Sequence, residues 1–178
     1  AHSTAAPWSD PPRLRTLKTH IFVTVGAQMP FDRMVHAVDA WAAARGRAAE
    51  VLAQIGASEA PPPHVAHVRF LDPPAFDRAY AEASLVVAHA GTGSILAALE
   101  RGKPIVVVPR RASLRETRND HQIATARAFE RAGRVLVAWD ETEVAAVLDR
   151  AGDAPRPAEV GPHASPELVA AIRSFLES

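Results

Sequence analysis

Apolar residues recur along this chain as short uninterrupted runs separated by longer stretches at helical spacing, which outlines a repeated strand and helix order. The first run, residues 20–25, predicts a strand ending at Gly26-Ala27-Gln28, and residues 31–44 then set Phe31, Met34, Val35, Val38 and Trp41 on one helical face. Residues 49–55, closed by Gly56, predict a second strand, Pro61-Pro62-Pro63 marks a loop, and residues 65–71 predict a third strand. Pro73-Pro74 opens a helix to about residue 83. A fourth strand over 85–89 runs through a glycine turn into a helix that ends near Gly102, and 105–108 forms a fifth. Beyond the polar loop 110–118, the pattern predicts a helix over 120–132, a strand over 135–138 and a helix over 141–151 with an acidic first turn. Residues 155–166 read as a linker, and 166–176 as an amphipathic helix.

Alternation of this kind, with near-continuous apolar strands, predicts an α/β fold with a single Rossmann-like, doubly wound parallel sheet, in which ligands sit at the carboxyl ends of the strands. Gly26, Phe70, His89 and Pro109 fall at such ends. The expected division is a disordered or appended tail over 1–18, one binding domain over 19–151, and a linker with a C-terminal helix over 152–178. A chain of 178 residues with 48% hydrophobic content suits one domain with a full core.

Lys+Arg and Asp+Glu are both 20, so no global basic field recruits nucleic acid, which is not an expected partner. The absence of cysteine excludes disulfides and thiolate metal sites. No apolar run approaches bilayer length, and the expectation is a cytoplasmic chain. His20, His36, His64, His67 and His163 lack metal-ligand spacing, so no metal and no cofactor are expected, and no nucleophile elbow supports hydrolase chemistry.

The segment His89-Ala90-Gly91-Thr92-Gly93-Ser94 carries the chemistry. A helix beginning there offers backbone N–H groups without intrahelical partners and the positive end of its dipole. Gly91 and Gly93 lack a Cβ and can take positive φ, so a diphosphate could approach the backbone closely, with Thr92 and Ser94 adding hydroxyl donors. The plainer alternative is an ordinary strand-to-helix turn capped by Ser94 or Thr92. A dinucleotide fingerprint needs glycine where Leu96 stands. A Walker loop needs glycine at Ala97 and Ser or Thr at Pro104, so both are excluded.

In combination, Val25-Gly26-Ala27, Phe70-Leu71-Asp72, His89 to Ser94, Gly102-Lys103-Pro104 and Asn119-Asp120-His121-Gln122 resemble the C-terminal, donor-binding domain of family 28 glycosyltransferases. The resemblance spans about residues 21–148 and is nearest the bacterial exopolysaccharide branch of two-subunit GT-B enzymes, through Pro109-Arg110-Arg111 and Arg118-Asn119-Asp120-His121-Gln122. It implies a UDP-sugar as donor substrate. By position, the Phe70-Leu71 backbone lies near uracil, Gly26, Ala27, Gln28 and the loop His89, Gly91, Thr92, Gly93, Ser94 face the diphosphate, and Asn119, Asp120, His121 and Gln122 face the sugar. It further implies that the acceptor half is a separate, membrane-associated subunit supplying the catalytic base. This chain would then be the donor-binding subunit of an inverting, metal-independent hexosyltransferase, inactive alone, that acts on a lipid-linked saccharide at the inner face of the membrane. A non-catalytic UDP-sugar sensor or regulatory subunit is the alternative from another class.

One departure from the family pattern is Ala97, where many relatives carry a ribose-gripping glutamate; Glu100, three residues on, is either a substitute or, the plainer reading, a solvated helix-end glutamate. Arg110, Arg111, Arg115 and Arg118 crowd the loop beside the expected sugar position, and guanidinium forks bind carboxylates in bidentate fashion. A uronate donor such as UDP-glucuronate is one reading, with Arg110 as its first reader; the other is that some of these arginines are solvated or bind the partner subunit. No catalytic residue is assigned with certainty; His121 is a weak candidate acid or base, set against a role as a sugar ligand.

Overall fold

The inner strands of the sheet are buried on both faces, and their side chains alternate between two separate cores. In the computed structural model, which describes residues 20–27 and 29–151, β1 (Ile21–Thr24) sends Ile21 and Val23 to one face and Phe22 to the other. The remaining elements are α1 (Asp32–Ala44), β2 (Val51–Gln54), β3 (Ala66–Val68), α2 (Pro73–Glu82), β4 (Leu85–His89), α3 (Thr92–Glu100), β5 (Ile105–Val108), α4 (His121–Arg131), β6 (Leu136–Val137) and α5 (Val144–Ala151). Six strands form one sheet in the order β3-β2-β1-β4-β5-β6, and every pairing is parallel. This is the doubly wound order, with its switch point between β1 and β4.

The first core packs Met34, Val35, Val38 and Trp41 of α1 with Val144, Val147 and Leu148 of α5 against Val23, Val87 and Val106. On the opposite face Tyr80 of α2, Ile95 and Leu99 of α3 and Phe129 of α4 cover Phe22, Val86 and Val107. There Phe22, Phe76 and Tyr80 form a mutual aromatic cluster with centroids 5.0–5.5 Å apart. These two layers hold the carboxyl ends of β1 and β4 side by side, where Thr24 pairs in register with Ala88.

Element ends differ from the sequence expectation where polar side chains redirect the backbone. The second strand starts at Val51 because residues Ala48–Glu50 form a 3-10 turn, held by Arg47 donating to Glu50 Oε2 at 2.8 and 3.0 Å. The third strand is only Ala66–Val68, an edge strand paired with β2 alone. The last described helix starts at Val144, after a turn in which Asp140 Oδ1 accepts from the Thr142 backbone and Glu143 Oε2 from the Trp139 backbone. The expected tail 1–18 and the linker and helix over 152–178 lie outside the described residues.

A buried carboxylate on the apolar face of α1 fixes the loop that leads into β3. Asp39, 3% exposed, accepts from the backbone N–H groups of His64 (2.9 Å) and Val65 (2.8 Å) and faces His64 Nδ1 at 2.7 Å. Burial works to raise its pKa, but the bonds from His64 and Val65 outweigh it and hold the carboxyl below its usual value. Asp39→Ala removes the acceptor of the His64 N–H and of the buried Val65 N–H, and a loss of about 2–3 kcal/mol in urea unfolding is the expected outcome.

Candidate functional site

The site forms where β1 and β4 end. Past β1, Gly26 adopts φ +78, a left-handed conformation that a residue with a Cβ adopts only under strain. Its N–H donates to Thr24 Oγ1 (3.2 Å), which also accepts from Gln54 Nε2 (3.3 Å), while Gln54 Oε1 accepts from the Leu71 N–H (2.9 Å). Thr24 and Gln54, both buried, thus tie the ends of β1, β2 and β3 into one platform. Neither stood out in the sequence as a site residue; a polar group inside an otherwise apolar strand was the available signal. Leu71 therefore has its N–H committed, and Phe70 beside it is 40% exposed at the platform rim.

Past β4, the imidazole of His89 lies between two glycines. A Cβ on Gly26 would come within 2.7 Å of His89 Cε1, and one on Gly91 would overlap Nε2 of the same ring. Both glycines are thus required by the histidine packed against them. Gly91 itself has an ordinary φ of −84, and Gly93 is not among the described glycines with positive φ. The expectation that these two would exploit left-handed backbone is corrected, and at Gly91 it is the missing Cβ that the fold requires. Burial foremost, and then the positive charge of Arg110, push the His89 pKa down to about 4 against an opposing backbone hydrogen bond with Thr24. His89 is therefore neutral at physiological pH, and its buried Nδ1 has no hydrogen-bond partner among the described residues.

Neutral burial has a consequence for stability. With an unfolded value of 6.5 and a folded value of about 4, the unfolded chain binds more protons between those limits. The stability that depends on neutral His89 is complete above the unfolded pKa and is lost as pH falls through the folded one. A fall of about 3 kcal/mol from pH 7 to pH 4 follows from the size of this shift. Urea titrations across that range check it, and His89→Gln is expected to flatten the profile.

The first turn of α3 is open. Gly91 occupies the position before the helix and no side chain caps it, so neither Thr92 nor Ser94 performs the capping role that the plainer reading gave them. An added Cβ at Gly93 meets nothing within 4 Å, and the residue is exposed. A helix N-terminus with uncapped N–H groups beside a glycine that leaves its backbone bare has the chemistry to receive an anion. Glu100 is the last residue of α3, exposed and one turn beyond Ala97, at the opposite end of the helix from this open turn.

Arg110 does not present a fork to this site. It is 4% exposed, and its two terminal nitrogens donate to four backbone carbonyls: Pro30 (2.7 Å) and Glu116 (3.1 Å) from Nη1, Val25 (2.8 Å) and Met29 (2.6 Å) from Nη2. The reading of Arg110 as a carboxylate receptor is corrected, because donors already satisfied by four backbone carbonyls do not turn to a ligand. Arg111 is likewise engaged, donating to the Trp139 carbonyl at 2.7 Å, whereas Arg115 and Arg118 are exposed.

The sequence-derived sugar segment sits at the entry to α4. Asp120 Oδ1 accepts from the Ala112 N–H (2.9 Å), Gln122 Oε1 from the Arg110 N–H (3.1 Å) and Asn119 Oδ1 from the His121 N–H (3.4 Å). Asp120 and Gln122 each spend an oxygen holding the loop after β5, while Asn119, Asp120 and His121 are exposed. Gln28 lies outside the described residues. The structure thus gathers Gly26, Ala27, His89 and Gly91 to Ser94 at the switch point, with Phe70 and Leu71 on the β3 side and Asn119 to Gln122 on the β5 side. No group of three His, Cys, Asp or Glu able to hold a metal occurs among the described residues.

A model of the glycosyltransferase family 28 C-terminal domain matches residues 20–154. The chain belongs to this family. Within it, 69 residues are 45% identical to the UDP-N-acetylglucosamine transferase subunit ALG13 of Eremothecium gossypii, a match covering 38% of this chain and 32% of that protein. The solution structure of ALG13 superposes with a TM-score of 0.59 at 22% identity, over 90% of this chain and 96% of that one. UDP-glucose: anthocyanidin 3-O-glucosyltransferase in complex with UDP gives 0.53 at 16% identity, over 97% of this chain but 44% of that enzyme, and MurG of Acinetobacter baumannii gives 0.55 at 17%, over 78% and 42%. At these identities the superpositions establish the fold, and the family 28 domain here spans less than half of the two larger enzymes. Among the described residues no helix is long and apolar enough to cross a membrane.

Proposed function

We propose that this chain is the donor-binding subunit of a two-subunit, inverting glycosyltransferase that transfers a sugar from a UDP-sugar to a lipid-linked acceptor, with a membrane-associated partner providing the acceptor half. The observation that carries this reading is the uncapped, glycine-bared start of α3 beside Gly26 at the switch point, in a chain of family 28. The relatives that bear the name ALG13 support the subunit arrangement and favour N-acetylglucosamine over the exopolysaccharide setting read from the sequence. The occupied guanidinium of Arg110 also removes the main argument for a uronate, so the donor proposed is UDP-N-acetylglucosamine rather than UDP-glucuronate.

In the reaction, an acceptor hydroxyl oxygen attacks the anomeric carbon as the bond to the diphosphate oxygen breaks. The leaving UDP carries the electron pair away, and the hydroxyl proton passes to a base on the partner. This chain's part is to stabilise charge on the departing diphosphate with the first-turn N–H groups and dipole of α3, already oriented before reaction. Calorimetric titration of the full chain with UDP-N-acetylglucosamine and UDP-glucuronate, followed by transfer assays with and without membranes containing the acceptor subunit, tests the reading. Tighter binding of the first donor and transfer only with the partner are expected. Binding without transfer in the partner's presence would point to a sensor instead.

A further inference from the structure

The arginine that proved unavailable to a ligand spans both sides of the site. Its guanidinium takes the Val25 carbonyl before the Gly26 turn and the Met29 and Pro30 carbonyls after it, and it reaches the Glu116 carbonyl in the loop that follows β5. The Arg110 backbone N–H meanwhile donates to Gln122 at the start of α4. Beneath the guanidinium lies the buried Phe31 ring, 4.7 Å from Arg110 Cζ, and Arg33 Cζ is 5.1 Å from the same ring. Arg33 in turn grips Glu116 with two bonds of 2.9 Å, and it reaches Glu141 (2.9 Å) and the Pro109 carbonyl (3.2 Å). Glu116 Oε2 also accepts from the Arg111 N–H at 3.0 Å.

We infer that Arg110 is a positioning residue for donor binding: it fastens the loop after β1, on the diphosphate side, to the loop after β5, on the sugar side, so that the two form one rigid surface. The inference rests on the donor-site reading for its consequence, though the fastening itself is geometric. Four carbonyls directed at one buried planar cation leave little freedom to either loop, and lysine cannot replace the fork because its donors radiate from a single nitrogen. The cost of losing the clamp falls on ligands that contact both loops. UDP-N-acetylglucosamine would touch both, whereas UDP alone would touch chiefly the diphosphate side.

The test compares the full chain with Arg110→Gln and Arg110→Lys, measuring amide exchange in the free proteins and titrating each with UDP and UDP-N-acetylglucosamine. Both variants are expected to show faster exchange in residues 25–30 and 111–118 together, and to lose affinity for the sugar nucleotide by about tenfold or more, with a smaller loss for UDP. Equal losses for the two nucleotides would mark general destabilisation and overturn the inference. So would faster exchange in one loop only, or full recovery by Arg110→Lys, which would make charge and not bridging the operative property. If Arg110→Gln does not fold, Arg110→Lys, which keeps a cation in the buried position, decides alone. If the wild-type chain binds neither nucleotide, the donor-site reading fails, and the exchange pattern still decides whether Arg110 couples the loops.

Discussion

Gly93→Ala is expected to leave the thermal midpoint unchanged or slightly raised while weakening UDP binding by about tenfold or more. The free protein has no reason to demand glycine there: the residue lies in the first turn of α3, it is not among the described glycines with positive φ, and a Cβ would meet nothing within 4 Å. Alanine is the better helix former by up to about 1 kcal/mol in a helix interior, so the substitution favours the fold if it does anything. A phosphate seated on the uncapped N–H groups approaches the backbone where that methyl group would stand. Parallel thermal melts and calorimetric titrations separate the two effects, and unchanged UDP affinity in a folded variant would place the diphosphate elsewhere.

Gly91→Ala is expected to behave in the opposite way and to destabilise the fold itself, by about 1–3 kcal/mol in urea unfolding, with UDP binding lost as well. Here the backbone is ordinary and the obstacle is the imidazole of His89, which occupies the space a methyl group needs. The ring has little room to retreat, because its Cε1 also stands against Gly26. Removing the ring should relieve the clash, so His89→Ala combined with Gly91→Ala is expected to be more stable than the sum of the single losses. Strict additivity would show that the two residues do not collide and that another contact fixes this glycine.

These two glycines illustrate what could be read in the chain and what could not. The sequence marks both as sites of close approach, but it does not tell a glycine needed by a neighbouring side chain from one needed by a ligand. That distinction rests on where the His89 ring lies, which the fold sets. The order of elements was legible because strands buried on both faces appear as unbroken apolar runs, such as Ile105 to Val108, and the parallel sheet follows from their alternation with helices. The ends moved wherever a local side-chain bond took over, as Arg47 and Glu50 do before β2.

Arg110 departs from its sequence expectation for a related reason. Four arginines within nine positions resemble an anion receptor in one dimension, yet the acceptors of Arg110 include backbone carbonyls of Val25, Met29 and Pro30, some eighty positions earlier. Carbonyls leave no trace in residue type, so no pattern announces such a partner. Asp39, Thr24 and Gln54 were more accessible, since each is a polar residue on a face that is otherwise apolar. A buried polar group in that setting must find partners, and each does so by fixing a segment of the structure.

A UDP diphosphate is expected to bind at the switch point between β1 and β4. Backbone amide shifts of the full chain, followed by NMR during titration with UDP, test it most directly. Saturable perturbations centred on Gly26 and Ala27 and on Gly91 to Ser94 are expected, with about tenfold or more nucleotide needed to reach them in Gly93→Ala. Saturable shifts that leave both segments untouched, or none up to millimolar nucleotide, would contradict it.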